Sequence, residues 1–130
     1  MSKKLIIIDD DPICCFILEK LLSKNGMHTV ACFNNATKAL QFLNESNAKT
    51  DYLIFLDLNM PVMDGWEFLK AMEHNDYDFE IDVAIVTSSI DPEDIKRAET
   101  YDSVISLITK PVTHEHLNKV LKTTSKSAIT

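Results

Sequence analysis

The chain has 130 residues, 45% of them hydrophobic and 25% charged, so it is long enough to bury one core and too short for two domains. Its net charge of -7 disfavours direct binding to nucleic acid, because such binding depends on Lys and Arg neutralising phosphates. No apolar run approaches the roughly 18 residues of a membrane span, and the 3 cysteines form no CxxC pair. These features indicate a one-domain protein of the reducing cytoplasm with no membrane partner.

Short apolar runs alternate along the chain with longer segments whose apolar residues recur at helical spacing. The runs lack polar alternation, as expected for parallel strands that helices cover on both faces. The predicted strands are Lys4 to Asp9, His28 to Phe33, Tyr52 to Asp57, Asp82 to Thr87 and Val104 to Thr109. Repeated βα units predict an α/β fold, a flavodoxin-like doubly wound parallel sheet with strand order 2-1-3-4-5.

Capping signals mark where the helices between these strands begin. Asp11 and Asp91 each precede a proline, which suits an N-cap followed by the first helical position. In the first helix an apolar stripe is predicted at Ile13, Phe16, Ile17, Leu21 and Leu22. In the later helices the corresponding positions are Ala36, Ala39, Leu40 and Leu43, then Trp66, Leu69 and Met72, then Ile95, Ala98 and Tyr101, then Leu117, Val120 and Leu121.

Polar residues follow the predicted strands at the edge where such sheets bind their ligands. They are Asp9, Asp10 and Asp11 after the first strand, Asp57 ending the third, Thr87 to Ser89 at the fourth, and Lys110 and Pro111 after the fifth. Several carboxylates in one crevice repel each other unless a cation joins them. Oxygen ligands without clustered His or Cys favour Mg²⁺.

Asp57 lies in the middle of this set and is the candidate nucleophile. A carboxylate can attack phosphorus to give an aspartyl phosphate. Mg²⁺, Lys110 and Thr87 would then face the outer phosphoryl oxygens, where positive charge and hydrogen bonds favour the transfer.

Four motifs, in order and spacing, resemble the receiver domain of two-component response regulators, close to the stand-alone chemotaxis type. They are Ile-Ile-Ile-Asp-Asp-Asp-Pro, Phe-Leu-Asp-Leu-Asn-Met-Pro-Val-Met-Asp-Gly, Ile-Val-Thr-Ser-Ser and Ile-Thr-Lys-Pro. The resemblance covers residues 1–124 and leaves 125–130 as a frayed tail.

The resemblance implies a role for each matching residue. Asp57 would accept a phosphoryl group from a histidine kinase or a histidine phosphotransfer protein. Asp9, Asp10, Asp57 and the backbone carbonyl of Asn59 would hold Mg²⁺, with Asp11 left as a helix cap. Lys110 would pair with the phosphoryl group, Thr87 would move to hydrogen-bond it, and the bond between Lys110 and Pro111 would be cis. A downstream protein would bind the face formed by helix 4, strand 5 and helix 5.

The chain departs from the family pattern near strand five. Leu107 stands where the family usually has an aromatic switch residue, so it lacks the ring and hydroxyl that would report the state of the site. Ser103 and Val104 replace a common glycine and alanine, which predicts an altered turn before this strand. Ser88 leaves the approach to Asp57 open. Asn59 and Ser89 are expected to tune the hydrolysis rate.

Other functions remain open at this point. An aspartate-nucleophile phosphohydrolase of the haloacid dehalogenase type would need a carboxylate at position 59, where this chain has Asn59. A flavodoxin would need a phosphate-binding loop in place of the aspartates after strand one. A receiver that binds partners without phosphorylation is a further alternative. His114 and His116 occupy alternate helix positions that do not face each other, which disfavours a zinc site, and Cys14 and Cys15 are interpreted as helix residues with at least one in the core.

Overall fold

The computed structural model describes residues 3–46, 50–88 and 90–124. Five strands and five helices alternate along this part of the chain. In chain order they are β1 Lys3–Ile8, α1 Pro12–Lys24, β2 Thr29–Phe33, α2 Ala36–Glu45, β3 Asp51–Asp57, α3 Gly65–His74, β4 Ile81–Thr87, α4 Pro92–Ala98, β5 Val104–Thr109 and α5 His114–Thr124. The predicted strands are confirmed, each to within one residue at either end.

All strand pairs are parallel, and the sheet order is β2-β1-β3-β4-β5. The predicted doubly wound, flavodoxin-like fold is therefore confirmed. Strand order reverses beside β1, so the crevice above β1 and β3 is where a ligand is expected to bind. The predicted tail at 125–130 lies outside the described residues.

Helices cover the two faces of the sheet and bury alternate residues of each strand. On one face, α1 and α5 pack over Leu5, Ile7, Leu53 and Phe55. On the other, α2, α3 and α4 pack over the intervening residues of the same strands. Burial on both faces explains why the central strands are almost uniformly apolar rather than alternating.

The prediction of a buried apolar stripe on α1 is wrong for the first half of the helix. Ile13, Phe16 and Ile17 are 67%, 59% and 49% exposed, whereas the helix buries Cys15, Leu18 and Leu22. Apolar residues lie almost all around the first turns of α1, so periodicity alone does not tell which side packs on the sheet. The other helices bury most of their predicted positions, although Ile95 of α4 is exposed.

Side chains at the helix starts satisfy backbone N–H groups that the helices leave free. The Asp11 carboxylate accepts a hydrogen bond from the N–H of Ile13, which confirms the predicted cap. Asp64 and Asp91 form capping boxes with Glu67 and Asp94. These caps fix where the loops after β1, β3 and β4 end, and therefore how far those loops reach over the sheet.

The turn before β5 is held by α3. Glu73 accepts hydrogen bonds from both the backbone N–H and the hydroxyl of Ser103, at 3.3 and 2.6 Å. The carbonyl of Ser103 accepts from the N–H of Val83 at 2.8 Å. A serine hydroxyl, which glycine lacks, therefore anchors this turn.

An aromatic stack connects α3 to the turn between α4 and β5. The Trp66 ring stacks on Tyr101 with centroids 6.0 Å apart, and the Arg97 guanidinium lies 4.7 Å from the Trp66 ring. Such cation–π contacts contribute about 0.5–1 kcal/mol at exposed sites. The stack ties the start of α3 to α4.

At the amino edge of the sheet, Lys3 is buried with its Nζ 2.6 Å from the Asp82 carboxylate. A buried lysine requires such a partner because removing its charge from water is costly. Among the described residues, no helix is long and apolar enough to cross a membrane.

Candidate functional site: an acidic cluster at the carboxyl edge

Four neighbouring strands bring the predicted site residues to one edge of the sheet. Asp9 follows β1, Asp57 ends β3, Thr87 ends β4 and Lys110 follows β5. The N–H of Lys110 donates to the Thr87 carbonyl at 2.8 Å, which extends the pairing of β4 with β5 up to the lysine. The site is therefore positioned by the sheet and not by a mobile loop.

Three carboxylates meet at this edge. Asp9, Asp10 and Asp57 each offer an oxygen within 4.8 Å of the others, with Asp9 and Asp57 buried and Asp10 exposed. Asp11 does not join them, because its carboxylate caps α1. Oxygen ligands at this spacing suit a hard divalent cation such as Mg²⁺.

Lys110 lies beside two of the carboxylates. Its Nζ is 2.9 Å from Asp9 Oδ2 and 3.6 Å from Asp57 Oδ2. Burial opposes the charged form of this lysine, but the hydrogen bond to Asp9 and the charge of Asp57 outweigh it and raise the pKa. The lysine is therefore a fixed positive charge at neutral pH.

The carboxyl group of Asp57 has a raised pKa. Burial and the charge of Asp9 raise its pKa to about 6, although Lys110 and a hydrogen bond from the N–H of Asn59 act in the opposite direction. One lysine does not balance the negative charge here. An additional cation would relieve the repulsion that this pKa reflects.

Further polar residues lie near Asp57 at the end of β4. Thr87 is buried, and its Oγ1 lies 3.4 Å from the Asn59 amide nitrogen, which donates to it. Ser88 is exposed and lines a cavity of about 390 Å³ together with Asp57, Lys110 and the side chain of Cys14. The predicted tuning residue Ser89 lies outside the described residues. The open cavity gives a reactant access to Asp57.

The loop after Asp57 contains two features that the sequence interpretation missed. A Cβ on Gly65 would lie 2.8 Å from both the Asp57 carbonyl oxygen and the Leu58 Cα, so only glycine fits there. Val62 has φ of 70° and is 96% exposed, at the apex of a turn in which the N–H of Met63 donates to the Pro61 carbonyl. This is a γ-turn, a strained conformation for a β-branched residue. The Asp-Gly pair before α3 could have indicated a position that requires glycine. Nothing in the sequence indicates the positive φ of the valine.

Leu107 lies in β5, and the peptide bond between Lys110 and Pro111 follows that strand. The bond between Lys110 and Pro111 is cis, as predicted. Leu107 is half-buried and lines a hollow of about 180 Å³ with Ile95 and Ala98 of α4.

The two histidines of α5 are engaged separately. The Nδ1 of His116 accepts from the N–H of Thr113 at 3.2 Å, while the Thr113 hydroxyl accepts from the N–H of His116. The Nδ1 of His114 lies 3.4 Å from the Asn25 amide nitrogen. His116 therefore stabilises the start of α5, and His114 contributes to the contact between α5 and the end of α1.

Comparisons with known proteins bear on the family of the chain. The model of the response regulator receiver domain family matches residues 5–122. The chain is 32% identical over 120 residues to the two-component response regulator ARR12 of Arabidopsis thaliana, covering 92% of this chain and 19% of that protein. It is 38% identical over 90 residues to the rice response regulator ORR26, covering 69% of this chain and 14% of that protein. The chain therefore spans about a fifth or less of the length of these curated relatives.

Solved structures give the same result over nearly the whole length of both chains. A response regulator receiver protein from Dyadobacter fermentans is 32% identical with a TM-score of 0.78, covering 93% of this chain and 96% of that one. The chemotaxis protein CheY4 of Vibrio cholerae is 26% identical with a TM-score of 0.73, covering 94% and 98%. The resemblance inferred from the motifs is confirmed.

Proposed function

The chain belongs to the response regulator receiver domain family, and from that membership we propose that Asp57 accepts a phosphoryl group from a histidine kinase or a histidine phosphotransfer protein. The observation that carries the proposal is the position of Asp57. Its carboxylate is buried at the end of β3, 3.6 Å from the Lys110 ammonium and beside an open cavity. Receiver domains interact with such kinases and phosphotransfer proteins as a family.

The residues present fit Mg²⁺. We assign Asp9, Asp10, Asp57 and the backbone carbonyl of Asn59 as its ligands, supported by the clustering of the three carboxylates and the raised pKa of Asp57. When bound, the ion supplies positive charge beside the phosphoryl oxygens.

In the transfer, an oxygen of the Asp57 carboxylate attacks the phosphorus of a phosphohistidine. A P–O bond forms, the P–N bond breaks, and the donor imidazole leaves with the bonding electrons and takes up a proton. Lys110 is close enough to neutralise negative charge on the transferred group. Thr87 ends the neighbouring strand β4 beside Asn59 and is assigned as a hydrogen-bond donor to the phosphorylated form.

Phosphorylation at Asp57 would bias an interaction surface, which we assign to α4, β5 and α5. The hollow beside Leu107 supports this, because α4 and β5 line it together and it gives the leucine space to change rotamer. Asn59, Ser88 and Ser89 supply no carboxylate or imidazole to activate water, so the phosphoryl group is expected to persist for seconds to hours. Apart from its own phosphorylation and slow dephosphorylation, the domain would not act as an enzyme.

We place the receiver domain at residues 1–124 and assign it to the cytoplasm. The family match over residues 5–122 supports the boundaries. The free thiols of Cys14, Cys15 and Cys32 support a reducing compartment.

Incubation with acetyl phosphate and Mg²⁺, followed by intact mass measurement, tests the assignment. Wild type is expected to gain one phosphoryl group and Asp57→Asn none. Asp51→Asn, at the far end of the same strand, is the matched control and should label like wild type. Equal labelling of wild type and Asp57→Asn would refute the assignment of Asp57. Absence of labelling on folded, Mg²⁺-binding wild type would favour a receiver that acts without phosphorylation.

A further inference from the structure

Two cysteines line one cleft between α1 and β2, beside the acidic cluster. Cys32 pairs in register with Ile7, and α1 covers that face of the sheet with Cys15. Both cysteines line the same cleft of about 370 Å³. Cys15 is buried, whereas Cys32 is exposed. Cys32 is therefore the more accessible of the two thiols.

Cys14 is adjacent to Cys15 in the chain but occupies different surroundings. Its thiol donates to the Asp11 carboxylate at 3.4 Å, and its side chain lines the cavity next to Asp57 and Lys110. Successive residues of a helix point about 100° apart, so the two thiols do not share a partner. Cys14 is therefore a control for any reaction of the other two cysteines.

We propose that Cys15 and Cys32 close to an intramolecular disulfide when the chain meets hydrogen peroxide or a small-molecule disulfide. A disulfide needs Cβ atoms about 3.5–4.5 Å apart and an S–S bond of about 2.05 Å. The helix and the strand that carry the two cysteines pack against each other, and both cysteines line the same cleft. Bond formation requires the sulfurs to move closer within this contact.

With peroxide, the exposed Cys32 reacts first. Its thiolate attacks one peroxide oxygen, the O–O bond breaks, and a sulfenic acid forms with release of water. The sulfur of Cys15 then attacks the Cys32 sulfur, the S–O bond breaks, and the thiol proton leaves with the hydroxyl as a second water. Two thiols lose two electrons and one peroxide gains them. With a small-molecule disulfide, two successive exchanges release two thiols instead.

The reaction is expected to be slow at neutral pH. Burial raises the pKa of the Cys32 thiol, so only a small fraction is the reactive thiolate. The pair therefore suits sustained oxidising conditions rather than a brief pulse of oxidant.

A disulfide here would act on Asp9 from two sides. The Cys15 thiol lies 3.5 Å from the Asp9 carbonyl oxygen, and the residue after Cys32, Phe33, accepts the Asp9 N–H through its carbonyl at 3.0 Å. Drawing α1 and β2 together shifts the backbone that directs the Asp9 carboxylate toward Lys110. The oxidised chain is therefore expected to bind Mg²⁺ several-fold more weakly. This consequence rests on the proposed function, whereas formation of the disulfide does not.

The test is oxidation of the reduced full chain with hydrogen peroxide or glutathione disulfide, followed by thiol alkylation and intact mass measurement. Three variants accompany wild type, namely Cys14→Ser, Cys15→Ser and Cys32→Ser. As monomers, oxidised wild type is expected to carry one alkyl group and oxidised Cys14→Ser none, whereas the reduced chains carry three and two. The other two variants are expected to lose this reaction entirely. Thermal melting of each reduced variant checks that it is folded.

Formation of an intramolecular disulfide in folded Cys15→Ser would overturn the pairing, because it would then involve Cys14. Glutathione adducts or covalent dimers as the only products of wild type would also overturn it. Calorimetric titration of reduced and oxidised wild type with Mg²⁺ tests the consequence, which equal affinities would refute. Failure of both forms to bind Mg²⁺ would contradict the proposed metal site, while the disulfide would still be read from the mass.

Discussion

The amino and carboxyl edges of the sheet each hold a lysine beside an aspartate, but the two edges differ in how charge is balanced. At the amino edge, Lys3 pairs with Asp82 at 2.6 Å, and the lysine side chain is 1% exposed. At the carboxyl edge, Lys110 is shared between Asp9 and Asp57 at 2.9 and 3.6 Å. Lys110 therefore faces two carboxylates, whereas Lys3 is paired closely with Asp82.

Energetically unfavourable features are also distributed unevenly between the two edges of the sheet. The excess negative charge, the γ-turn at Val62 and the open cavity all lie at the carboxyl edge. At the amino edge, the described residues include the close pair of Lys3 with Asp82. Unfavourable features gathered at one end of a well-packed sheet indicate a surface kept for a ligand, with its cost offset by the rest of the fold.

Replacing each lysine by methionine gives the largest expected contrast between the edges. Lys110→Met is expected to slow phosphorylation of Asp57 by about 10²–10³-fold, the usual cost of removing a group that stabilises developing charge. Lys3→Met should leave the rate within about twofold but lower the free energy of unfolding by about 2–3 kcal/mol, since it leaves the Asp82 charge partly buried. Phosphorylation kinetics and urea unfolding of both variants check this. Equal rate losses would erase the distinction.

The excess charge predicts a pH-dependent gain in stability for Asp57→Asn. Because the pKa of Asp57 is raised from 3.8 to about 6, the folded state holds this proton more tightly than the unfolded chain. The free energy of unfolding of wild type therefore falls as pH rises through this interval. Without Mg²⁺, the variant should gain up to about 3 kcal/mol relative to wild type between about pH 4 and pH 7.

Urea unfolding at several pH values measures this difference. Asp51→Asn, at the other end of β3, is the control and should show no comparable gain. A constant difference between Asp57→Asn and wild type across the interval would contradict the assigned cause.

Gly65→Ala tests the close packing beneath Asp57. The added methyl group meets backbone atoms of Asp57 and Leu58, so a loss of about 1–3 kcal/mol is expected, together with slower phosphorylation. Gly26→Ala is the matched control. Gly26 has φ of 74° and open space around it, so its cost is conformational and should leave the phosphorylation rate unchanged. A normal rate in Gly65→Ala would show that Asp57 tolerates displacement of this loop.

The smallest expected effect is a gain from Val62→Gly. A left-handed backbone costs an L-residue about 1–2 kcal/mol, and glycine removes this cost. Glycine also has more conformational freedom in the unfolded chain, which lowers stability, so the expected net gain is up to about 1 kcal/mol. Because Val62 is almost fully exposed, the substitution removes little packing. Thermal melting measures the gain. A loss of stability would mean that the valine makes a contact that offsets its strain.

The sequence was sufficient to predict the sheet and the position of the acidic cluster. Apolar runs such as Tyr52 to Leu56 mark buried parallel strands, and parallel strands bring Asp9, Asp57 and Lys110 to one edge. The motif spacing then identified the family.

Features that depend on three-dimensional packing were not predictable in the same way. The first half of α1 is apolar on more than one side, so the exposure of Ile13, Phe16 and Ile17 follows only from how the helix packs on the sheet. The left-handed backbone of Val62 is imposed by the loop against the preference of the residue. The burial of Lys3 depends on Asp82, which is distant in the chain.

The stack of Trp66 with Arg97 and Tyr101 also has a practical value. The chain contains 1 tryptophan, so its long-wavelength fluorescence arises from this indole alone. The indole follows Gly65, which packs closely against the Asp57 backbone, and its ring contacts the Arg97 guanidinium and the Tyr101 ring. A displacement of α3 relative to α4 would change the polarity and quenching around one chromophore. Emission spectra can therefore follow the domain without an attached label.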